Sequence, residues 1–226
     1  MTMLALAFSP DFCVVAADRA VGNLNATGLR TTTAKNTKIK HFNEGPMPFI
    51  ATAAGFAEAV ELVPEFVKHN TIESPSDLIG LAEFLAQSMK EDLEEDIWSQ
   101  THTTSCILAL TADNQFFVHS LYLNDEEVLF SGFEPTISVI PAGFCAPEHQ
   151  AHKEHWQKML TEAIMPNEQK LTPQERLNRV LEVMSNAFEE CASLNQFVSK
   201  DFDYCIITKN DRKISLNQTP TNSIFI

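Results

Sequence analysis

Two short runs near the start of the chain, Met3 to Phe8 and Phe12 to Ala17, are apolar at almost every position. The tripeptide between them, Ser9-Pro10-Asp11, is turn chemistry, so the pair reads as a β-hairpin. A hairpin that is apolar on both faces cannot lie on a surface. It has to be covered on each side, which demands a layered fold with this hairpin in an inner layer.

The remaining elements supply those layers. Val21 to Asn36 is polar and rich in threonine, and reads as an extended ribbon or loop. Lys38 to Phe42 alternates like a half-buried strand, and after a turn over Asn43 to Pro48 the small residues from Phe49 to Ala54 form another strand, ending at Gly55. Phe56 to Asn70 has helical spacing with Pro64 inside it, and Ser74-Pro75-Ser76-Asp77 starts a second helix with Leu78, Leu81, Leu85 and Met89 on one face. The acidic run from Glu91 to Asp96 reads as its solvated end. Strands are expected over Ser105 to Leu110, Phe116 to Leu121, Glu127 to Phe130 and Ile137 to Ile140, with Asn114 and Asn124-Asp125 in the turns. Two helices follow, one over about Glu148 to Ala163 and one opening at Thr172-Pro173-Gln174-Glu175, a capping-box pattern. Phe202 to Thr208 and Lys213 to Leu216 close the set as strands. The order is strands, two helices, strands, two helices, strands. It predicts an α+β fold, a four-layer αββα sandwich of two antiparallel sheets flanked by helix pairs, with residues 1–226 as one domain.

Charge and cysteine usage narrow the function. The net charge of −14 and the lack of a basic patch exclude nucleic acid as a partner and argue against an anionic membrane surface. The five cysteines form no CxxC pair, and no basic segment precedes the first apolar run, so reduced thiols in the cytoplasm are expected. No run approaches the roughly 20 apolar residues of a membrane span.

Thr2 is the first residue with chemistry to offer. If Met1 is removed, Thr2 carries a hydroxyl nucleophile and a free α-amine that can serve as its base. The order of residues around it resembles that of proteasome β subunits and the bacterial HslV-type peptidases, a family of N-terminal nucleophile hydrolases. The likeness rests on Thr2, on Val14-Val15-Ala16-Ala17-Asp18, on Thr37-Lys38-Ile39 and on Ala53-Ala54-Gly55. It is densest over residues 2–60 and continues as element order to about residue 216. The resemblance implies that Thr2 attacks a peptide carbonyl, that Lys38 lowers the pKa of its hydroxyl, and that Asp18 holds Lys38. It further implies that the Gly55 amide donates to the oxyanion, and that Val21, Ala53 and Ala57 line the first substrate pocket. The small Ala53 predicts a roomy apolar pocket. No cofactor or metal is implied. The implied partners are a peptide or unfolded-protein substrate, further copies of the chain in a ring or stacked rings, and an ATP-dependent unfoldase.

The chain departs from the family pattern in three places. Pro141-Ala142-Gly143-Phe144-Cys145 stands where a Gly-Ser-Gly is usual, Gln196 stands where an aspartate is usual three places before Ser199, and the expected arginine comes one place early as Arg19. Ser199 remains as a polar support. Two readings therefore stand beside the threonine peptidase: a ring-forming scaffold without turnover, and an amide transferase using the same acyl-enzyme. Two further constellations lie apart. Cys145 and His149 could form a thiol–imidazole pair, although Pro147 lies between them. His149, His152 and His155 recur along one helix; neighbouring pairs could share a metal, and a solvated or oligomer-facing row is the simpler reading, with Trp156 and Leu160 on the buried side.

Overall fold

The computed structural model describes residues 2–24, 30–33, 37–54, 58–92, 104–113, 115–123, 136–140, 147–165, 171–195, 198–208 and 214–218. The hairpin is β1 (Thr2–Phe8) and β2 (Phe12–Asp18). Its turn is closed by the Ser9 hydroxyl, which accepts from the amides of Asp11 at 3.1 Å and Phe12 at 3.2 Å. A two-stranded ribbon follows, β3 (Val21–Leu24) with β4 (Arg30–Thr33), then β5 (Ile39–Phe42) and β6 (Phe49–Ala54). Helices α1 (Glu58–Glu61), α2 (Val63–His69) and α3 (Asp77–Asp92) lead to β7 (Thr104–Ala112), β8 (Gln115–Leu123) and β9 (Thr136–Ile140). Helices α4 (Pro147–Ile164) and α5 (Pro173–Leu194) precede β10 (Phe202–Thr208) and β11 (Ser215–Gln218).

Apart from the β3–β4 ribbon, the strands make two antiparallel sheets, ordered β11-β10-β2-β1-β9 and β5-β6-β7-β8. Side-chain alternation then fixes four layers. From the hairpin, Leu4, Leu6, Cys13, Val15 and Ala17 meet Ile39, Ile50, Ile107 and Ala109 between the sheets. The opposite phase of the same strands, Met3, Ala5, Phe12, Val14 and Ala16, packs on Leu160 of α4 and on Val180, Met184 and Phe188 of α5. Phe49, Ala51, Ala53, Cys106 and Leu108 face Val60, Val63, Leu78, Leu81 and Leu85 of the first three helices. The hairpin is thus buried on both faces, as its composition demands.

Local chemistry accounts for the element ends. Helix α5 opens on the capping box read from the sequence: the Glu175 amide donates to Thr172 Oγ1 at 3.3 Å and the Thr172 amide to Glu175 Oε2 at 2.7 Å. The stretch expected as one helix over Phe56 to Asn70 is corrected to α1 and α2, broken at Leu62. Pro64 sits in the first turn of α2, the one helical place where its missing N–H costs nothing. Ala112 pairs with Gln115 across a two-residue β7–β8 connection in which Asp113 adopts φ 51°, a conformation that aspartate tolerates. The expected turn residue Asn114, the expected strand Glu127 to Phe130 with the turn at Asn124-Asp125, and residues 93–96 of the acidic run lie outside the described residues. Among the described residues no helix is long and apolar enough to cross a membrane.

Candidate active site

Three chain segments meet at the end of the sandwich where β1 begins and β2 ends. Strand β1 presents Thr2, 3% exposed, and β2 terminates in Asp18, fully buried. The third segment precedes β5 in the other sheet and supplies Lys38, 5% exposed. The Lys38 carbonyl accepts from Thr52 Oγ1 at 2.9 Å, which ties that segment to β6. Its ammonium then crosses to the first sheet, donating to Asp18 Oδ1 at 2.7 Å and to Thr2 Oγ1 at 3.1 Å.

Asp18 is held on every side. Oδ1 also accepts from the Met3 amide at 3.0 Å, while Oδ2 accepts from the amides of Ala20 at 2.9 Å and Ser199 at 3.2 Å. Three main-chain donors and one ammonium therefore converge on one buried carboxylate, the saturation that a charge removed from water requires. Burial pulls the Lys38 ammonium below its ordinary pKa of 10.5; the negative charge and hydrogen bond of Asp18 oppose that fall. A lysine so placed sets a positive charge at hydrogen-bonding distance from a threonine hydroxyl, and such a charge favours the alkoxide over the alcohol.

Ser199 belongs to the cluster through its backbone as well as its side chain. Its amide binds Asp18, its hydroxyl donates to the Asp201 carbonyl, and that same hydroxyl accepts from the Arg19 amide at 3.0 Å. Sequence reading missed Asp203. It is 1% exposed and carries an ion pair with Arg19, Nε to Oδ1 at 2.6 Å. The available signal was a charge one residue into the apolar run Phe202 to Thr208, in register with Ala17 of β2.

The other expected residues fall as follows. Ala53 is 1% exposed, in the apolar layer between the β5–β8 sheet and helices α1 to α3. Val21 begins β3, paired with Thr33. Met1, Gly55 and Ala57 lie outside the described residues, as do Pro141 to Cys145 and Gln196. The histidine row is on α4, where His152 and His155 are exposed. His152 Nδ1 and Trp156 Nε1 both engage Glu190 of α5, the latter at 2.8 Å, and Leu160 is fully buried on the inward side. Among the described residues no group of three His, Cys, Asp or Glu converges to hold a metal.

Comparison with known proteins gives the fold by shape alone. No family model matches the chain, and no curated protein matches it in sequence. Solved structures do. A helical assembly of the Anbu complex from Pseudomonas aeruginosa aligns over 99% of this chain and 88% of its own at a TM-score of 0.69 and 14% identity. Anbu from Yersinia bercovieri, described as an ancestral beta-subunit, aligns over 96% of this chain and 86% of its own at 0.63 and 11% identity. Eukaryotic HslV from Trypanosoma brucei aligns over 92% of this chain and 99% of its own at 0.53 and 14% identity. The architecture is a proteasome-like αββα sandwich.

Proposed function

We propose that this chain is a threonine peptidase whose nucleophile is Thr2, acting within a closed assembly of its own copies. The observation that carries the reading is the position of Lys38 Nζ, 3.1 Å from Thr2 Oγ1 and 2.7 Å from Asp18 Oδ1. A buried lysine shared between a hydroxyl and a carboxylate has a weak structural purpose, since desolvating both charges offsets much of their attraction. It has a clear chemical one.

Once Met1 is removed, the Thr2 α-amine, with an ordinary pKa of about 7.7–8.0, is partly neutral near pH 7. Thr2 Oγ1 attacks the substrate carbonyl carbon and its proton passes to the α-amine, directly or through one water. The Lys38 charge lowers the cost of the developing alkoxide. Gly55, by the family resemblance, donates its amide to the carbonyl oxygen as that becomes an oxyanion, a contribution of about 3 kcal/mol for a single such donor. The α-ammonium returns the proton to the leaving amine as the carbon–nitrogen bond breaks, leaving an ester on Thr2 that water hydrolyses. The substrate is peptide or unfolded protein, and the family resemblance assigns Val21, Ala53 and Ala57 to a first pocket that takes large apolar side chains. The assembly is a ring or stacked rings in the cytoplasm, fed by an ATP-dependent unfoldase; the Pseudomonas aeruginosa neighbour is described as a helical assembly, so an open helix is the other geometry to look for.

Intact mass of the purified protein, before and after incubation with a peptide epoxyketone, tests the chemistry. The expected result is a chain without Met1 that gains one inhibitor mass at Thr2. Retained Met1, or no adduct, overturns it and favours the scaffold reading suggested by the serine-free stretch Pro141 to Cys145. Short peptides ending in Leu, Arg or Glu test the pocket, with Leu preferred; preference for Glu refutes it. Native mass spectrometry reports the assembly.

A further inference from the structure

The catalytic reading uses Thr2, Lys38 and Asp18 and leaves a second buried ion pair beside them unused. Asp203 lies on β10 opposite Ala17 of β2, in the phase that points between the sheets, with Cys205 and Ile207 the next inward residues of its strand. A carboxylate 1% exposed in such company is costly without a cation. Arg19 supplies it, and Arg19 is the residue directly after Asp18.

That adjacency turns an ion pair into a clamp. Its side chain anchored on Asp203, Arg19 presents its amide to the 199–201 segment, donating to Ser199 Oγ at 3.0 Å and the Asp201 carbonyl at 3.2 Å. The same segment sends the Ser199 amide back to Asp18 Oδ2 at 3.2 Å. The circuit closes: Asp203 holds Arg19, Arg19 holds residues 199–201, and these hold one oxygen of Asp18. The other oxygen is then turned toward Lys38. We propose that Asp203 and Arg19 together are positioning residues for the Thr2 centre, fixing through the 199–201 segment the carboxylate orientation that keeps Lys38 Nζ on Thr2 Oγ1.

The clamp touches no substrate and acts through Asp18. Losing it lets Asp18 rotate away, and Lys38 loses the anion that opposes its desolvation. The ammonium then gives up its proton at lower pH. Deleting both partners leaves the net charge of the pair unchanged, which separates positioning from a general effect of charge.

The inference rests on the threonine-peptidase reading, and the experiment separates the two. Epoxyketone labelling of Thr2 is followed from pH 6 to 10 in wild type, in R19A/D203A and in the conservative R19K, and crystal structures of the same proteins report the distance from Lys38 Nζ to Thr2 Oγ1. In R19A/D203A the alkaline limb of the labelling rate is expected to move to lower pH by about one unit, with Lys38 displaced from Thr2; R19K is expected to keep the wild-type profile and distance. A folded double variant with the wild-type profile and an undisplaced Lys38 overturns the clamp while the peptidase stands. If R19A/D203A does not fold, the nearer-isosteric R19Q/D203N, which also keeps the net charge of the pair, takes its place with the same expected shift, and an unchanged profile overturns the clamp there too. If wild type does not label, the peptidase reading falls, and the Lys38–Thr2 distance in the variant alone upholds or overturns the positioning role.

Discussion

Consider Asp18→Asn at neutral pH. Asp18 is fully buried and each of its oxygens accepts two donors: Met3 and Lys38 on one, Ala20 and Ser199 on the other. An asparagine places an NH₂ where one oxygen was, so whichever way the amide turns, two donors face a donor. Lys38 also loses its counter-charge. Breaking a buried ion pair from the carboxylate side costs about 3–5 kcal/mol. An independent ceiling comes from Lys38 itself, which can shed its proton instead of staying charged; at pH 7, from its ordinary pKa of 10.5, that costs about 5 kcal/mol. The two routes agree on roughly 4 kcal/mol. Lys38→Met differs in kind, because Asp18 keeps three main-chain N–H donors, and its expected cost is about 2 kcal/mol. Urea unfolding at one fixed protomer concentration measures both; with a slope of roughly 2–3 kcal/mol per molar, the Asp18→Asn midpoint should fall by about 1.5 M, twice the Lys38→Met shift. The double variant should be less destabilised than the sum of the singles. If Lys38→Met is as damaging as Asp18→Asn, the account of Asp18 as the fully satisfied hub and Lys38 as its dependant is wrong.

Other outcomes follow from the same structure. Thr2→Ala should abolish the epoxyketone adduct and Thr2→Ser should retain it, as intact mass will show, since both a hydroxyl and an α-amine persist in the serine protein. Burial pushes the Cys13 thiol up to about 12 from 9.0, so the folded chain keeps a proton that the unfolded chain releases. The stability this represents is present below pH 9 and is lost as pH rises toward 12, by about 1.4 kcal/mol per pH unit for one thiol. Guanidinium midpoints between pH 8.5 and 10.5 should fall, and Cys13→Ala should make the fall shallower. Phe188 of α5 stacks on Phe202 of β10 with centroids 4.4 Å apart in the helix–sheet core, and Phe188→Ala should cost about 3–5 kcal/mol by thermal or chemical unfolding. Asn43→Ala should cost about 1–2 kcal/mol through loss of its two hydrogen bonds to Ile214.

The layers were legible because their cause is local. An apolar run on both phases has one physical outcome, and the hairpin met it. The capping box at Thr172 and the turn at Ser9 were equally readable, since each is closed within four residues. Helical spacing runs straight through Pro64, whereas in the fold Pro64 opens a new helix after a break at Leu62; an unbroken apolar period does not encode where such a break falls. Within the candidate site, Thr2, Asp18 and Lys38 could be named because a resemblance joined them. The part played by the Ser199 amide could not be read, because any residue supplies an N–H. Asp203 was hidden in a run whose β character dominated, and its role depends on register with Ala17, some 186 positions earlier in the chain. Long-range register is the information that a linear pattern carries least.

Strand β5 is the edge of its sheet and only four residues long, the kind of element expected to fray. Yet both its ends are fastened to the opposite sheet. Just before it, Lys38 reaches Asp18 at the end of β2; just after it, the Asn43 side chain donates to the Ile214 carbonyl at 2.9 Å and accepts from the Ile214 amide at 2.8 Å, imitating one rung of a ladder beside β11. A strand stapled at two points resists sliding along the sandwich, so the lysine just before it is indexed to the far sheet and not only to its own. Shear between the sheets would have to break both staples at once. The gap between Thr2 and Lys38 therefore rests on the stiffness of the whole sandwich as well as on the side chains that span it.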